Sequence, residues 1–264
     1  MFASVPDKKK LIDSHCHLDA MVFDENRDQV VAQAQQVGIG QILVPATCAT
    51  SLATAAAMRA RYGCWVAFGL HPCFIKQHVD DHLDVLERYV ACGKPVAVGE
   101  IGLDFYLPHL DPAQQEALLI EQLSLARKYN LPVLLHGRRS QDRLLKYLRQ
   151  IRVVGGIVHA FNGSEQQACA FLKLGFKLGF GGAMTYSGSR RIRHLVANLP
   201  LSALVLETDA PDMMPAWGQG YPNHPAALAR IAQVMAQLRG SDDIAIVVAT
   251  HANTLQALGL GMDG

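Results

Sequence analysis

The strongest constraint on the fold of this chain is a series of eight short apolar segments that recurs along its 264 residues. Each segment is almost continuously hydrophobic rather than alternating, which is typical of parallel strands buried on both faces. The sequence therefore predicts eight buried strands. They occupy residues 11–12, 41–44, 65–69, 95–99, 132–135, 156–158, 176–180 and 203–206.

Helical patterns occupy the stretches between these segments. The clearest begins at Asp111, a residue type that caps helices, with Pro112 at the first helical position and Gln114 placed to complete a capping box. Ser164 and Gln167 have the same capping-box spacing. We expect helices at residues 26–37, 51–62, 81–91, 111–129, 140–150, from 164 onward, 190–198, 225–238 and 241–258.

The alternation of strands and helices predicts an α/β fold, and the count of eight favours a single (β/α)8 TIM barrel. An open doubly wound sheet would show the same alternation, but the sequence lacks a glycine-rich dinucleotide or phosphate loop. No repeat, low-complexity tract or linker divides the chain. We therefore expect one barrel domain at residues 11–264, preceded by an N-terminal extension at residues 1–10.

The composition narrows the classes of function. Hydrophobic residues make up 50% of the chain and charged residues 18%, which indicates a large core and excludes disorder. The net charge is +1, so no general attraction to nucleic acid or anionic membranes is expected, and any phosphate contact must be local. The six cysteines include no C-x-x-C pair, and no apolar signal segment follows the charged N-terminal residues. Both features favour a cytoplasmic protein without a membrane anchor.

Polar side chains follow six of the apolar segments, at the point where each predicted strand ends. In a parallel barrel these carboxyl ends converge on one face, where active sites lie. The residues are Asp13-Ser14-His15-Cys16-His17 after the first segment, His71 after the third, Glu100 and Asp104 after the fourth, His136 after the fifth, His159 after the sixth, and Glu207-Thr208-Asp209 after the eighth.

Imidazole and carboxylate groups in this arrangement favour a centre for divalent metal ions. His15 and His17 are two apart on a strand, so they point to the same side and can bind one ion. Glu100 has two oxygens and could bridge two ions, of which His136 and His159 could complete the second site. Zinc, manganese or a similar ion suits such mixed ligands.

Asp209 could both bind a metal ion and accept a proton from a bound water. Taken singly, a histidine at the end of a strand is more often structural, and Glu100 alone could form a buried ion pair. Four histidines and two carboxylates at the ends of five predicted strands are unlikely to be a coincidence. The set as a whole therefore predicts a metal-dependent hydrolase.

These residues, taken in order, resemble the motifs of the TatD family of metal-dependent hydrolases in the amidohydrolase superfamily. The resemblance runs from about residue 11 to the C-terminus, and residues 212–225 are most similar to the YjjV branch. The motifs are Asp13-Ser14-His15-Cys16-His17-Leu18-Asp19, Gly69-Leu70-His71-Pro72, Gly99-Glu100-Ile101-Gly102-Leu103-Asp104-Phe105, Leu135-His136, His159-Ala160-Phe161-Asn162-Gly163-Ser164 and Leu206-Glu207-Thr208-Asp209-Ala210-Pro211.

The resemblance implies a (β/α)8 barrel with two or three divalent ions, for which Zn, Mn and Mg are the candidates. Family members are chiefly regarded as deoxyribonucleases, several of which act from the 3′ end of single strands, so DNA is the expected substrate. Other relatives are linked to ester cleavage on D-aminoacyl-tRNA. The implied ligands are His15, His17, Glu100 and Asp209 for one ion, and Glu100, His136 and His159 for the other.

The segment after His136 departs from the family pattern. Many relatives have a small residue, Arg, an acid and Ala there, whereas this chain has Gly137-Arg138-Arg139-Ser140. The segment after Asp209 also differs from that of the best-known nuclease branch, which is richer in basic residues. These departures concern substrate preference rather than metal binding.

Further residues are candidates for substrate contact or support. His71 ends a strand without being needed as a ligand, and Arg138 and Arg139 could hold phosphates. Glu207 could serve a third ion, and Asp104 could orient a metal ligand. The alternatives are packing for His71, a covered helix surface for the arginines, and a tight turn for Asp104.

A second basic and aromatic set lies later in the chain. Arg190, Arg191 and Arg193 follow the seventh predicted strand and could also contact phosphates, or cover a helix surface. Trp217 and Tyr221 could stack on a base, or close their loop over the barrel.

Three hypotheses follow. In the first, a metal-dependent phosphodiesterase cleaves DNA, with Glu100 and Asp209 as catalytic residues and Asp209 as the proton acceptor for a metal-activated water. In the second, the same centre hydrolyses a carboxylic ester or amide in aminoacyl-tRNA or a small metabolite. The third is a non-catalytic binding barrel, which the complete ligand set disfavours. No protein partner is expected.

Overall fold

The computed structural model describes residues 10–218 and 222–261, in which eight parallel strands form one sheet in chain order. Each strand overlaps one of the predicted apolar segments, so the predicted TIM barrel is confirmed. Residues 1–9 of the expected extension, and Tyr221, lie outside the described residues. The strands are β1 (Leu11–Asp13), β2 (Ile39–Pro45), β3 (Trp65–Phe68), β4 (Ala97–Asp104), β5 (Val133–Arg138), β6 (Gly156–Val158), β7 (Phe176–Phe180) and β8 (Leu204–Leu206).

The eighth strand meets the first at their carboxyl ends and nearly closes the barrel. The Ser14 N–H donates to the Leu206 carbonyl at 3.0 Å. The buried Asp13 carboxylate accepts the N–H and the hydroxyl of Thr208 at 2.9 and 2.6 Å. These bonds join parts of the chain that are far apart in sequence, and they fix the two loops that follow β1 and β8.

Helices connect the strands and surround the barrel. The Asp111 carboxylate accepts the Ala113 N–H at 2.8 Å, and the capping box of Ser164 and Gln167 is present. The expected return bond from Gln114 is not formed, so that capping box was wrong. The described helices are α1 (Arg27–Gln36), α2 (Ser51–Tyr62), α3 (Asp81–Gly93), α4 (Pro112–Lys128), α5 (Gln141–Gln150), α6 (Glu165–Lys173), α7 (Arg190–Asn198), α8 (Ala227–Arg239) and α9 (Asp243–Ala257).

Every helix described within residues 10–218 and 222–261 is too short or too polar to span a lipid bilayer.

A small apolar cluster fills the barrel interior, separate from the larger core between barrel and helices. Leu258 joins this cluster, and the Asn253 side chain of α9 donates to the Leu204 carbonyl at 2.7 Å, so α9 covers the amino end of the strands. The polar centre is therefore confined to the opposite, carboxyl end. The strand residues of the cluster are Leu43, Ala67, Ala97, Leu134, Ile157 and Val205.

Strand β4 is longer than predicted, and its pairing is irregular. The apolar pattern ends it at residue 99, but its pairing with β5 shifts between Val98 and Ile101 and then continues to Asp104. A bulge of this kind bends a strand and re-aims a side chain, here Glu100. Glycine is needed nearby, because a Cβ at Gly102, whose φ is +149°, would lie 2.0 Å from a backbone oxygen of β5. Glu100 therefore lies inside the strand rather than after it.

Candidate metal centre

Four ligand atoms from the loop after β1, from β4 and from the loop after β8 converge at the carboxyl end of the barrel. The expectation that His15 and His17 lie on a strand was wrong, because β1 ends at Asp13. His15 Nε2 lies 3.2 Å from Glu100 Oε2, and His17 Nε2 lies 3.7 Å from the same oxygen. Asp209 Oδ1 lies 3.7 Å from His15 Nε2 and 3.5 Å from His17 Nε2. This group contains the four residues that the resemblance implied for one ion.

A second group lies on the other side of the same carboxylates. Glu100 Oε1 is 3.2 Å from His136 Nδ1, and ligand atoms of Glu100, His136 and His159 all lie within 4.8 Å of one another. Asp209 Oδ2 is 3.6 Å from His159 Nε2. Glu100 and Asp209 thus each present one oxygen to each group, and all six residues predicted as ligands are brought together.

The chemistry of these donors fits metal ions. Both ring nitrogens of His15 are buried and form no hydrogen bond with any described residue, although Nε2 faces a Glu100 oxygen at 3.2 Å. In the described chain, Glu100, Glu207 and Asp209 form no ion pair with a lysine or arginine. Buried carboxylates that no lysine or arginine neutralises are costly, so a divalent cation is a partner that suits them.

The two shared carboxylates differ in their electrostatic environment. Burial raises the pKa of Asp209 to about 6, although the neighbouring histidines act in the opposite direction. Burial also disfavours ionisation of Glu100, but His71 and His15 hold its pKa well below the usual range. The histidines therefore favour the ionised form of Glu100, whereas burial favours the protonated form of Asp209.

Glu207 supports His159 rather than facing the other ligands. Its Oε1 accepts the Ala160 N–H at 2.7 Å and lies 3.2 Å from His159 Nδ1. Burial lowers the pKa of His159, but the charges of Glu207 and Asp209 raise it to about 10. A Cβ at Gly179 would lie 2.0 Å from Glu207 Oε2, so this glycine makes room for the carboxylate.

Asp104 contacts His136 as Glu207 contacts His159. Its Oδ2 lies 3.0 Å from His136 Nε2, and its Oδ1 accepts the Tyr106 N–H at 2.9 Å. Burial opposes ionisation of Asp104, but its bond with His136 helps to lower its pKa to about 2. The ring of His136 is consequently held between Glu100 on one side and Asp104 on the other.

His71 lies at the edge of the centre with a defined tautomer. Its Nδ1 accepts the Cys73 N–H at 3.1 Å, so in the neutral ring Nε2 carries the proton. That Nε2 lies 3.3 Å from Glu100 Oε1, and burial lowers the pKa of His71 to about 4. Cys73, which sequence reasoning missed, forms a further group of possible ligands with His71 and His136. The bond to Nδ1 leaves His71 a donor rather than a ligand.

The two arginines after His136 surround a tyrosine that the sequence analysis did not single out. The guanidinium carbons of Arg138 and Arg139 lie 4.2 and 4.8 Å from the centre of the Tyr106 ring. Arg138 Nη1 also lies 3.4 Å from Asp104 Oδ2. This contact connects Arg138 to the metal centre.

The later basic and aromatic residues are held by other contacts. Arg191 donates to Asn162 Oδ1 at 2.7 and 3.1 Å, and Arg193 donates to a backbone carbonyl at 3.0 Å. Trp217 packs against the core, with the Arg230 guanidinium 4.0 Å from its ring centre. Among the described residues of this set, none is joined to the ligand cluster.

Two buried glutamines of α4 were also missed. Gln122 accepts the Leu70 N–H at 2.7 Å and donates to the Leu70 carbonyl at 3.0 Å. Gln115 makes the same pair of bonds with Asp104, at 2.7 and 3.1 Å. Each therefore fixes the backbone beside a residue of the centre. Two glutamines seven apart, which the helical period places on one face of α4, are the sequence signal that could have revealed them.

Comparison with known proteins agrees with this architecture. Residues 12–259 match the sequence model of a family described as TatD related DNase. The chain is 42% identical over 252 residues to an uncharacterized metal-dependent hydrolase, YjjV of Escherichia coli K12, covering 93% of this chain and 97% of that protein. It is 34% identical over 253 residues to a 3′-5′ ssDNA/RNA exonuclease, TatD of Cronobacter sakazakii, covering 92% and 95% respectively.

Solved structures show the same similarity. The crystal structure of YjjV from E. coli K12 superposes with a TM-score of 0.92 at 41% identity, covering 95% of this chain and 98% of that chain. A TatD family hydrolase from Entamoeba histolytica gives a TM-score of 0.84 at 21% identity, covering 96% and 99%, and supports the fold alone.

Proposed function

The chain belongs to the TatD-related DNase family of metal-dependent hydrolases, and we propose that it hydrolyses phosphodiester bonds in single-stranded DNA. The observation that carries the proposal is that Glu100 is shared between two groups of histidines at the mouth of the barrel. The 34% identical protein from C. sakazakii is named as a 3′-5′ ssDNA/RNA exonuclease, which supports nucleic acid as the substrate class.

The proposed centre holds two divalent ions, with Zn, Mn and Mg as candidates. Such ions lower the pKa of a coordinated water towards about 7 and stabilise charge on the attacking and leaving oxygens of a phosphoryl group. The ligands would be His15, His17, Glu100 and Asp209 for one ion, and Glu100, His136 and His159 for the other.

The side chains of the centre have separate roles in this proposal. Asp209 orients the attacking water and accepts its proton, because its carboxylate oxygens lie at the junction of the two ligand groups. Glu100 stays ionised and keeps the two histidine groups at a fixed separation. His71 donates its Nε2–H to a phosphoryl oxygen, and Arg138 and Arg139 neutralise neighbouring phosphates.

Activity of metal-stripped protein on single-stranded DNA tests the proposal. Degradation should return when Mg²⁺, Mn²⁺ or Zn²⁺ is added, and Asp209→Asn should lower the rate by about 100-fold or more because the proton acceptor is lost. Asp243→Asn, at the start of α9 by the amino end of the barrel, makes the same chemical change away from the centre and should retain full activity.

A different result would point to another bond. If protein shown to bind two ions cleaves a carboxylic ester or amide but no phosphodiester, the DNA proposal is wrong. The metal-dependent hydrolase would then be assigned to the ester or amide class.

A further inference from the structure

A cluster of one tyrosine and two arginines lies beside the metal centre. Tyr106 follows β4 and is 48% exposed, although it is a large hydrophobic side chain. Arg138 and Arg139, from the end of β5, place their guanidinium groups 4.2 and 4.8 Å from the centre of its ring. Two cations therefore flank an aromatic side chain that keeps much of its surface open.

The cluster is one side chain away from a proposed metal ligand. Asp104 Oδ1 accepts the Tyr106 N–H at 2.9 Å, and Asp104 Oδ2 contacts both Arg138, at 3.4 Å, and His136, at 3.0 Å. A substrate group bound on Tyr106 would thus be a near neighbour of a group bound at the metal centre. This is the relation between adjacent units of a polymer.

The two arginines differ in their available charge. Arg138 is paired with Asp104, whereas Arg139 forms no ion pair with any described residue. The backbone of Arg139 has a φ of +55°, in the left-handed region that non-glycine residues seldom occupy. Residues held in such conformations cluster at functional sites. Arg139 is accordingly a free cation held over the tyrosine ring.

Other exposed apolar side chains lie on the same face of the barrel. Met21, Val22 and Val79 are 86%, 52% and 59% exposed and belong to the connections that follow β1 and β3. In a parallel barrel these connections surround the carboxyl mouth. The mouth therefore combines apolar surface with local positive charge on a molecule whose net charge is only +1.

We propose that Tyr106, Arg138 and Arg139 form a subsite for an unpaired nucleobase and its phosphate, one nucleotide from the bond that is cleaved. The inference rests on the proposed function and adds to it the means by which single strands are selected. An unpaired base has a free face for stacking on tyrosine, and the guanidinium groups match the phosphate. A base within a duplex has no such face.

Binding without turnover tests the subsite. The probe is a labelled oligothymidylate with phosphorothioate linkages that resist hydrolysis, bound to the metal-loaded full-length protein and followed by fluorescence anisotropy. Tyr106→Ala should weaken binding about 5- to 150-fold, the range for loss of one stacked base, and Tyr106→Phe should restore it. A series of probes, each lacking the base at one position, locates the stacked base. For one probe of this series, wild type and Tyr106→Ala should bind with equal affinity.

The arginine contribution has a matched control. Arg61 also lies over a tyrosine, 5.1 Å from the Tyr62 ring centre, and is exposed, but it belongs to the end of α2. Arg139→Ala should reduce the slope of log affinity against log salt by about 0.7, the value for one phosphate contact on a single strand. Arg61→Ala, with the same change in charge, should leave the slope unchanged.

Turnover of a small diester separates this subsite from the metal centre. Bis(4-nitrophenyl) phosphate contains no nucleotide, so Tyr106→Ala should change its kcat/KM little while raising the KM for DNA. Equal loss on both substrates would show that Tyr106 acts only through Asp104 and would overturn the subsite, as would wild-type affinity of Tyr106→Ala for the probe. If wild type hydrolyses neither substrate, the proposed function fails, and the binding assay still decides the subsite.

Discussion

The centre illustrates at the residue scale how position along a strand can reveal chemistry. Six ligand candidates were predictable because each follows or ends an apolar segment, and such ends share one face of a barrel. The partners that hold them were harder to assign. The contact between Glu207 and His159, and the cluster around Tyr106, depend on side-chain directions that no sequence spacing encodes.

Glu207 offers a prediction at this scale. Glu207→Gln keeps the size of the side chain and an acceptor for the Ala160 N–H, but removes the negative charge that faces His159 Nδ1 at 3.2 Å. We expect metal affinity to fall about 10- to 100-fold, as is usual when the partner of a ligating histidine is lost. Chelator competition would measure this without turnover.

The control for Glu207→Gln is a second glutamate that faces a histidine. Glu165 Oε2 lies 3.9 Å from His194 Nε2 on the surface, with 65% of the glutamate side chain exposed. Glu165→Gln should leave metal affinity at the wild-type value. Equal affinities for all three proteins would refute a positioning role for Glu207.

At the scale of elements, the positions of strands and helices were predictable from the sequence, but the full length of β4 was not. Continuous apolar segments located all eight strands, and polar–apolar periodicity with caps located the helices. The extension of β4 to Asp104 was not predictable, because it depends on pairing that resumes with β5 after the bulge at Glu100. Hydrophobicity marks the apolar part of a strand, whereas hydrogen bonds to a neighbour determine where the strand ends; the polar residues Glu100 and Asp104 are buried in β4 as well.

Helix α4 supports a prediction about how elements are joined. Gln122 is 1% exposed and satisfies both backbone groups of Leu70, the residue before His71. Gln122→Leu would leave a buried N–H and a buried C=O without partners, at a cost of about 1–3 kcal/mol for each group. We expect the free energy of unfolding, measured in urea, to fall by about 2–6 kcal/mol.

The same helix provides the comparison. Gln114 is exposed and makes no bond of this kind among the described residues, so Gln114→Leu should change the unfolding free energy by less than about 0.5 kcal/mol. If Gln122→Leu is as stable as Gln114→Leu, water must satisfy the Leu70 N–H and C=O in the variant. The two hydrogen bonds of Gln122 would then add no stability to the contact between α4 and the barrel.

For the whole molecule, the barrel divides into an apolar interior at one end and a charged cluster at the other. Ile157 and its neighbours, covered by Leu258, fill the interior, while Glu100, Glu207 and Asp209 lie buried at the carboxyl end. Burial of the apolar side chains at one end stabilises the fold without any bound ion. The carboxyl end confines negative charge away from water, so its contribution to stability depends on the cations that it binds.

Metal removal should therefore lower the stability of the entire barrel. A ligand that binds only the folded state at 100 times its dissociation constant adds about 2.7 kcal/mol. For a domain of this size each kcal/mol shifts the midpoint of thermal unfolding by about 2–4 °C, so chelation should lower it by about 5–10 °C.

His15→Ala should abolish most of this difference, whereas His194→Ala, at an exposed histidine of α7, should retain it. Calorimetry with and without chelator measures both variants. A midpoint that does not respond to divalent ions in wild type would show that the carboxyl cluster is stable without them and that metal binding is not coupled to folding.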